Sequence, residues 1–432
     1  LTGILGYREI DQSSFGDVDG APNTVRFEFG DGSGLEQDQQ SVELRWAGDV
    51  AESVTLTAGF NLFQQDYTYR ERRLLVDAVD RRAVSSIDHF TSGLFAQADW
   101  RFAEDWTLTL GGRYSTEEKE AAIGVIGDPT ATGDCANRPL NPLEGRAAMN
   151  DCRPAFRDKK DWSNFSPRVA LAWQATDSLM TYASFSRGFR SGGYNVRFSD
   201  TSIVTNPSNP LSTPGPYDEE TVDAYELGMK SSLAGGTVML NMAAFYYDYK
   251  DYQAFAQLGP IQTVINQDAE ATGLEIELNA YPTDRLMLQV GASFMDSKVK
   301  DITLPDLTTV VDNDLPQAPS FAANALARYE FPLGDGTASI QGDVYYTDDF
   351  CFTTLCAPVE REDSYAVANA RIGYAAPDGR WEVAAFVNNL FEEEYRVYAF
   401  DSSLFAGVVA GVYAKPRTWG VTGSWRFGAR YE

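Results

Sequence analysis

Histidine is almost missing, with one in 432 residues. That argues against a histidine-built zinc site and against a histidine-based triad. Basic residues are also scarce. Lys and Arg total 35 against 62 Asp and Glu, a net charge of −27, so no basic face for nucleic-acid phosphates can be assembled and that class of partner is excluded. No apolar run approaches the roughly 18 residues of a transmembrane helix. A membrane β-strand, apolar only at alternate positions, passes that test unseen. GxSxG, Walker and HExxH patterns are absent, and Gly111-Gly112 and Gly192-Gly193 lack the phosphate-loop context. With no catalytic constellation, the expectation is a protein that is not an enzyme and needs neither cofactor nor metal. The chain opens on Leu1 without a leader pattern, as expected where a signal has been removed or where the sequence begins inside a longer protein.

What is present is alternation. In Leu274-Glu275-Ile276-Glu277-Leu278-Asn279-Ala280 every even position is apolar and every odd one, through Asn279, is polar. Leu286, Leu288, Val290, Ala292 and Phe294 repeat the pattern, as do Trp106, Leu108, Leu110 and Tyr114, and finally Trp419, Val421, Trp425 and Phe427. Side chains alternate faces along a strand, so each segment reads as a strand with one apolar and one polar face. The runs last about 10–15 residues, longer than the roughly 5–6 of soluble strands and enough to cross a bilayer.

About sixteen such segments occur, near 1–10, 38–48, 54–66, 88–102, 106–118, 161–175, 179–190, 222–232, 237–250, 267–281, 285–297, 318–330, 336–347, 363–374, 380–390 and 417–427. The links between them are short and long by turns. Short ones such as Ala103-Glu104-Asp105, Thr176-Asp177-Ser178 and Pro282-Thr283-Asp284 have tight-turn chemistry. Long ones cover roughly 11–37, 67–87, 119–160, 191–221, 251–266, 298–317, 348–362 and 391–416. Outer-membrane barrels sort their links this way, with short periplasmic turns and long extracellular loops. The fold expected over 1–432 is therefore an all-β antiparallel transmembrane barrel in lipid and lipopolysaccharide. Trp100, Phe102, Trp106, Tyr182, Tyr281, Tyr329, Tyr374, Trp381, Trp425 and Phe427 recur near strand ends, where amphipathic rings belong at the headgroup level.

The polar faces carry the expected lumen residues Arg113, Arg168, Glu226, Lys230, Glu275, Glu277, Gln289, Arg328, Asp343, Arg371 and Arg426. A cation facing lipid at mid-depth costs about 2–4 kcal/mol, so these residues should face a wet or plugged interior. The four cysteines fall as Cys135 with Cys152 and Cys351 with Cys356, each pair within one expected extracellular loop. Local disulfides in an oxidising compartment are expected. Acidic patches such as Asp312-Asn313-Asp314 read as solvated loops.

Several segments resemble the TonB-dependent outer-membrane receptors. Tyr182 to Asn195, YASFSRGFRSGGYN, is similar to a strand-plus-loop motif of that family. YDEETVDAYELGMK at 217–230, FYYDYKDYQ at 245–253, the ATGLEIE run at 271–277, Asn388-Asn389-Leu390-Phe391 and Pro416-Arg417-Thr418-Trp419-Gly420 follow in the family's order. The resemblance implies a 22-stranded plugged barrel, about sixteen strands of it in this sequence. It also implies import of a scarce nutrient, such as a ferric siderophore, energised by TonB through an N-terminal plug. The plug and first strands are expected outside these residues. Arg190, Tyr194, Tyr252 and Phe255, at strand tops, combine a cation with aromatic faces and are the candidate contacts for a small-molecule ligand. A passive sixteen-stranded porin and an adhesive surface protein are the alternatives.

Overall fold

The computed structural model describes residues 1–17, 27–75, 79–126, 156–196, 214–258, 261–304, 308–403 and 408–427. An antiparallel meander runs through β1 (Thr2–Asp17), β2 (Phe27–Ala51), β3 (Val54–Leu75), β4 (Val79–Ala103), β5 (Trp106–Ile126), β6 (Phe156–Thr176), β7 (Leu179–Arg190), β8 (Glu220–Leu233), β9 (Val238–Leu258), β10 (Ile261–Thr283) and β11 (Leu286–Thr303). The short β12 (Val310–Asn313) folds back on β11, and β13 (Phe321–Leu333) and β14 (Gly336–Thr347) continue the wall. A two-residue pair follows, β15 (Phe350–Cys351) with β16 (Arg361–Glu362). The wall then resumes with β17 (Tyr365–Ala375) and β18 (Trp381–Asn388), is interrupted by the hairpin β19 (Arg396–Ser402) and β20 (Val408–Tyr413), and finishes on β21 (Thr418–Trp425). Sixteen strands form the wall among the described residues, each paired with its neighbour in sequence apart from the excursions. Within them β1 pairs only with β2, and β21 only with β18.

Adjacent side chains take opposite faces. On one face Leu94 is 67% exposed, Leu227 63% and Ile372 56%, which suits a solvent of lipid and not of water. Two aromatic rows bound this face. At the short-turn end Trp106 stacks on Trp173 with centroids 5.3 Å apart, and Tyr374 meets Trp381 at 5.4 Å. At the other end Phe185 meets Tyr225 at 5.1 Å, and Phe294 meets Phe321 at 4.8 Å. Eight residues separate Trp106 from Tyr114, and Phe321 from Tyr329. At about 3.3 Å per residue and a tilt of about 40°, the rows lie about 20 Å apart, close to the apolar height of an outer-membrane barrel. No helix among the described residues is long and apolar enough to cross a membrane.

The strands are longer than the alternation alone indicates. β2 and β4 each have 25 residues. The links expected at 11–37, 67–87 and 251–266 are largely ladder: β1–β2 pairing reaches Asp17 and Glu28, β3–β4 reaches Leu75 and Val79, and β9–β10 reaches Leu258 and Ile261. Backbone pairing continues above the lipid because it still satisfies amides and carbonyls. The apolar alternation stops there because neither face meets lipid. Among the described residues two packed cores form, both at this outer end, one around Ile87, Ala121, Trp162 and Tyr194, the other around Ala269, Val299 and Ile302.

Candidate functional site

The inner face of the wall is polar and knitted across strands. Arg113 on β5 donates from Nη2 to Asn61 Oδ1 at 2.6 Å and from Nε to Ser115 Oγ at 2.7 Å. Gly93 makes room for it, since a Cβ there would sit 2.2 Å from Arg113 Nη2. Arg328 donates to Glu330 Oε1 at 2.9 Å, and Arg371 to Glu382 Oε1 at 3.3 Å. Gln289 donates to Asn279 at 2.9 Å, and Asn369 to Asp343 at 2.6 Å.

Between β6 and β9 the same face hollows into a cavity of about 430 Å³. Arg168, Glu226, Lys230, Tyr182 and Tyr247 supply its polar lining, and Ala170 and Ala224 part of its floor. Tyr182 donates to Glu226 Oε1 at 2.5 Å, so its ring lies over Gly228 in this cavity and not at the headgroup level expected from its place near a strand end. Glu275 and Glu277 lie on the same face of β10, directly across from Ala243 and Asn241 of β9. Among the described residues Glu226, Glu275 and Glu277 make no ion pair, and neither do Arg168 and Lys230.

At the outer end, beyond the aromatic row at Tyr114, a denser network gathers. Glu117 and Lys119 project inward from β5, each about four-fifths buried. Glu117 Oε2 lies 3.0 Å from His89 Nε2 and accepts from Ser191 Oγ at 2.6 Å. Lys119 Nζ donates to Ser191 Oγ at 2.6 Å and to the Gly192 carbonyl at 2.7 Å. Burial alone would raise the Glu117 carboxyl, but hydrogen bonds from His89 and Ser191 and the Lys119 charge outweigh it and leave it below its usual range. Burial pushes the Lys119 ammonium down, against the opposing pull of Glu117. The Lys119 and Lys160 ammoniums each lie 5.4 Å from the Trp162 ring centroid.

The four sequence-derived ligand candidates fall into two kinds. Tyr194 is 6% exposed, packs against Trp162 and donates to Asp158 Oδ2 at 2.9 Å. Tyr252 packs against the Ala269–Val299–Ile302 cluster, edge-on to Tyr249 at 5.8 Å. Burial raises the phenols of both. Arg190 and Phe255 are exposed. Glu220 lies directly across from Arg190 in the β7–β8 register, yet its carboxylate accepts from the Gln253 backbone amide at 2.8 Å. Among the described residues Arg190 has no ion pair, while its charge opposes the burial-driven rise of Tyr217 and Tyr252. Sequence reading overlooked Glu117, Lys119, Trp162 and Gln253. The inward parity of Glu117 and Lys119 was a usable signal, but Ser191, the partner they share, lies more than 70 residues away.

Beyond the rim, Cys351 and Cys356 form a disulfide. Cys135 and Cys152 lie outside the described residues. Leu355 from the disulfide loop packs on the cluster that holds Tyr252. Glu360, 3% exposed, caps that region by accepting from Thr353 Oγ1 at 2.6 Å and from the Asp401 amide at 2.9 Å.

Residues 2–390 match the family model described as TonB dependent receptor-like, beta-barrel. The chain is 22% identical over 376 residues to the pesticin receptor of Yersinia pestis, covering 82% of this chain and 48% of that protein. It is 21% identical over 257 residues to a probable TonB-dependent siderophore receptor, PiuA, of Acinetobacter baumannii, covering 57% of this chain and 33% of that one. Among solved structures it superposes on the ferric yersiniabactin uptake receptor FyuA from Yersinia pestis with a TM-score of 0.73 at 18% identity, covering 94% of this chain and 56% of that one. On the ferric citrate transporter FecA the TM-score is 0.63 at 15% identity, with 98% and 58% covered. The chain thus spans about half the length of the pesticin receptors it matches, and the structural likenesses establish the fold.

Proposed function

The chain belongs to the TonB-dependent receptor β-barrel family and is an integral barrel of the Gram-negative outer membrane, and from that premise we propose that it forms most of the barrel wall of an importer of ferric siderophores or similar metal chelates. The family match over residues 2–390 carries this reading. The chelate binds at the outer rim and passes inward when TonB, supplied with energy from the inner membrane, remodels a plug in the lumen. Arg190 and Phe255, exposed at the rim, touch the ligand, while Tyr194 and Tyr252, packed in the two outer cores, fix the rim's shape.

The inner face supports the plug. Glu226, Glu275 and Glu277 leave three carboxylates turned inward without an ion pair among the described residues. Arg168 and Lys230, in the same cavity as Glu226, have no ion pair among the described residues either, and unpaired charges of both signs in a confined polar interior are stabilised by opposing groups, which a plug supplies and a water-filled pore does not. Uptake of radio-iron chelates by cells expressing the full receptor tests the proposal. Uptake that stops on adding a protonophore is the expected result. Uptake that persists in de-energised cells identifies a passive pore and overturns it.

A further inference from the structure

The sequence SRGFRSGGYN around Arg190 holds its place through a cation buried on another strand. Ser191 accepts from Lys119 Nζ at 2.6 Å and donates to Glu117 at 2.6 Å, while the Gly192 carbonyl takes a second Lys119 bond at 2.7 Å. Residues 191–196 are tied to 214–218 by Tyr217 N to Gly193 O at 2.9 Å and Asn195 N to Pro214 O at 2.6 Å. Gln253 Nε2 on β9 adds bonds to the Ser191 carbonyl at 2.9 Å and the Asp218 carbonyl at 3.1 Å. Ser85 on β4 donates to the Val196 carbonyl at 2.6 Å. Five elements converge, and among the described residues Lys119 brings them a buried ammonium, whereas the Lys160 ammonium that reaches Asp218 at 3.4 Å is more exposed.

Close approach is needed for this. A Cβ on Gly192 would lie 2.1 Å from the Tyr217 carbonyl oxygen and 2.7 Å from Trp162 Nε1. Any side chain there would therefore lift the segment off Lys119. This contact explains Gly192, and Gly193 has its own, since a Cβ there would lie 2.7 Å from the Tyr217 hydroxyl oxygen.

We propose that Lys119, seated against Trp162 and balanced by Glu117, is a positioning residue that clasps the Ser191–Tyr194 segment to the barrel rim and thereby fixes the neighbouring Arg190 guanidinium where a ligand meets it. The ligand contact rests on the importer reading. The clasp does not. An apolar side chain of similar length keeps the packing on Trp162 but removes the two bonds that Lys119 gives to Ser191 Oγ and the Gly192 carbonyl, so charge and shape are separable.

Hydrogen exchange of the full receptor in detergent, without ligand, reads the clasp directly. In Lys119→Met the amides of Gly193, Asn195 and Tyr217 exchange at least about tenfold faster than in the wild type, while the β5 amides of residues 107–113 are unchanged. Glu117→Gln gives a smaller acceleration at the same amides, because its carbonyl oxygen still accepts from Ser191. Acrylamide quenching of an otherwise Trp-free rim, with Trp162 retained, rises in parallel. Unchanged exchange at the three amides in Lys119→Met overturns the clasp, and so does acceleration spread equally over 107–113, which denotes general unfolding. Loss of energised uptake in Arg190→Gln with a normal exchange pattern supports the ligand contact, and normal uptake in that variant removes the contact while leaving the clasp standing.

Discussion

Gly228 shows how much one missing methyl group fixes. Its position faces Tyr182 across the β7–β8 ladder, and a Cβ there would lie 2.4 Å from Tyr182 Cζ. The ring lies over the glycine, reaches Glu226 and lines the inner cavity. Gly228→Ala forces the ring off that position, and overpacking of this kind costs about 1–3 kcal/mol. A lowered thermal transition of the detergent-solubilised receptor checks this. Glu117 makes a second residue-scale case. Its folded carboxyl sits below its usual range, so the stability it contributes is complete above the unfolded value near 4.3 and disappears as pH falls through the lower folded value. Exchange at Gly193 and Asn195, after correction for intrinsic rates, therefore accelerates below about pH 4. In Glu117→Gln the acid limb is absent. That Arg113 and Arg328 take the polar face of their strands follows from alternation, because a strand assigns faces by counting alone. The role of Tyr194 was not, since its burial depends on Trp162 and Ile87, which no local pattern connects to it.

At the scale of elements, strands were legible where lipid imposes a period of two and illegible where it does not. β5 reads clearly from Trp106 to Tyr114, yet it pairs with β4 as far as Ile126, and the outer part, charged from Glu117 to Glu120 and then apolar from Ala121 to Ile126, has no alternation to announce it. β19 and β20 were hidden for a different reason. They form a two-stranded sheet outside the wall, held by specific side chains and not by a continuous stripe. Arg396 does much of this, donating from Nε to Glu362 Oε2 at 2.6 Å and from Nη1 to the Val359 carbonyl at 2.8 Å. Glu362 is 7% exposed, so Arg396→Met leaves a buried carboxylate without its partner. Breaking such a pair costs about 3–5 kcal/mol, less here because Arg396 itself is partly exposed. The expected outcome is faster proteolysis within 396–413, with the heat-modified electrophoretic shift of the barrel unchanged.

For the whole molecule, one physical division organises everything else. Lipid takes one face, and a polar interior takes the other. The division makes an uncommon prediction, that neighbouring residues differ greatly in their tolerance of the same substitution. Val169 and Ala170 are adjacent on β6, about midway between Phe165, which lies across from Tyr114 in the outer aromatic row, and Trp173 in the row at the short-turn end. Val169 is 42% exposed on the apolar face, whereas Ala170 lines the inner cavity near Glu226. Val169→Arg places a guanidinium near the bilayer midplane and costs about 2–4 kcal/mol. Ala170→Arg sends the same group into a space that already holds Arg168, Lys230 and Glu226, with a cost set by crowding and not by lipid. Denaturant titration in liposomes compares the two directly. A large loss for Val169→Arg beside a small one for Ala170→Arg is expected. Equal losses mean that both residues meet the same medium, and a wall between lipid and lumen does not allow that.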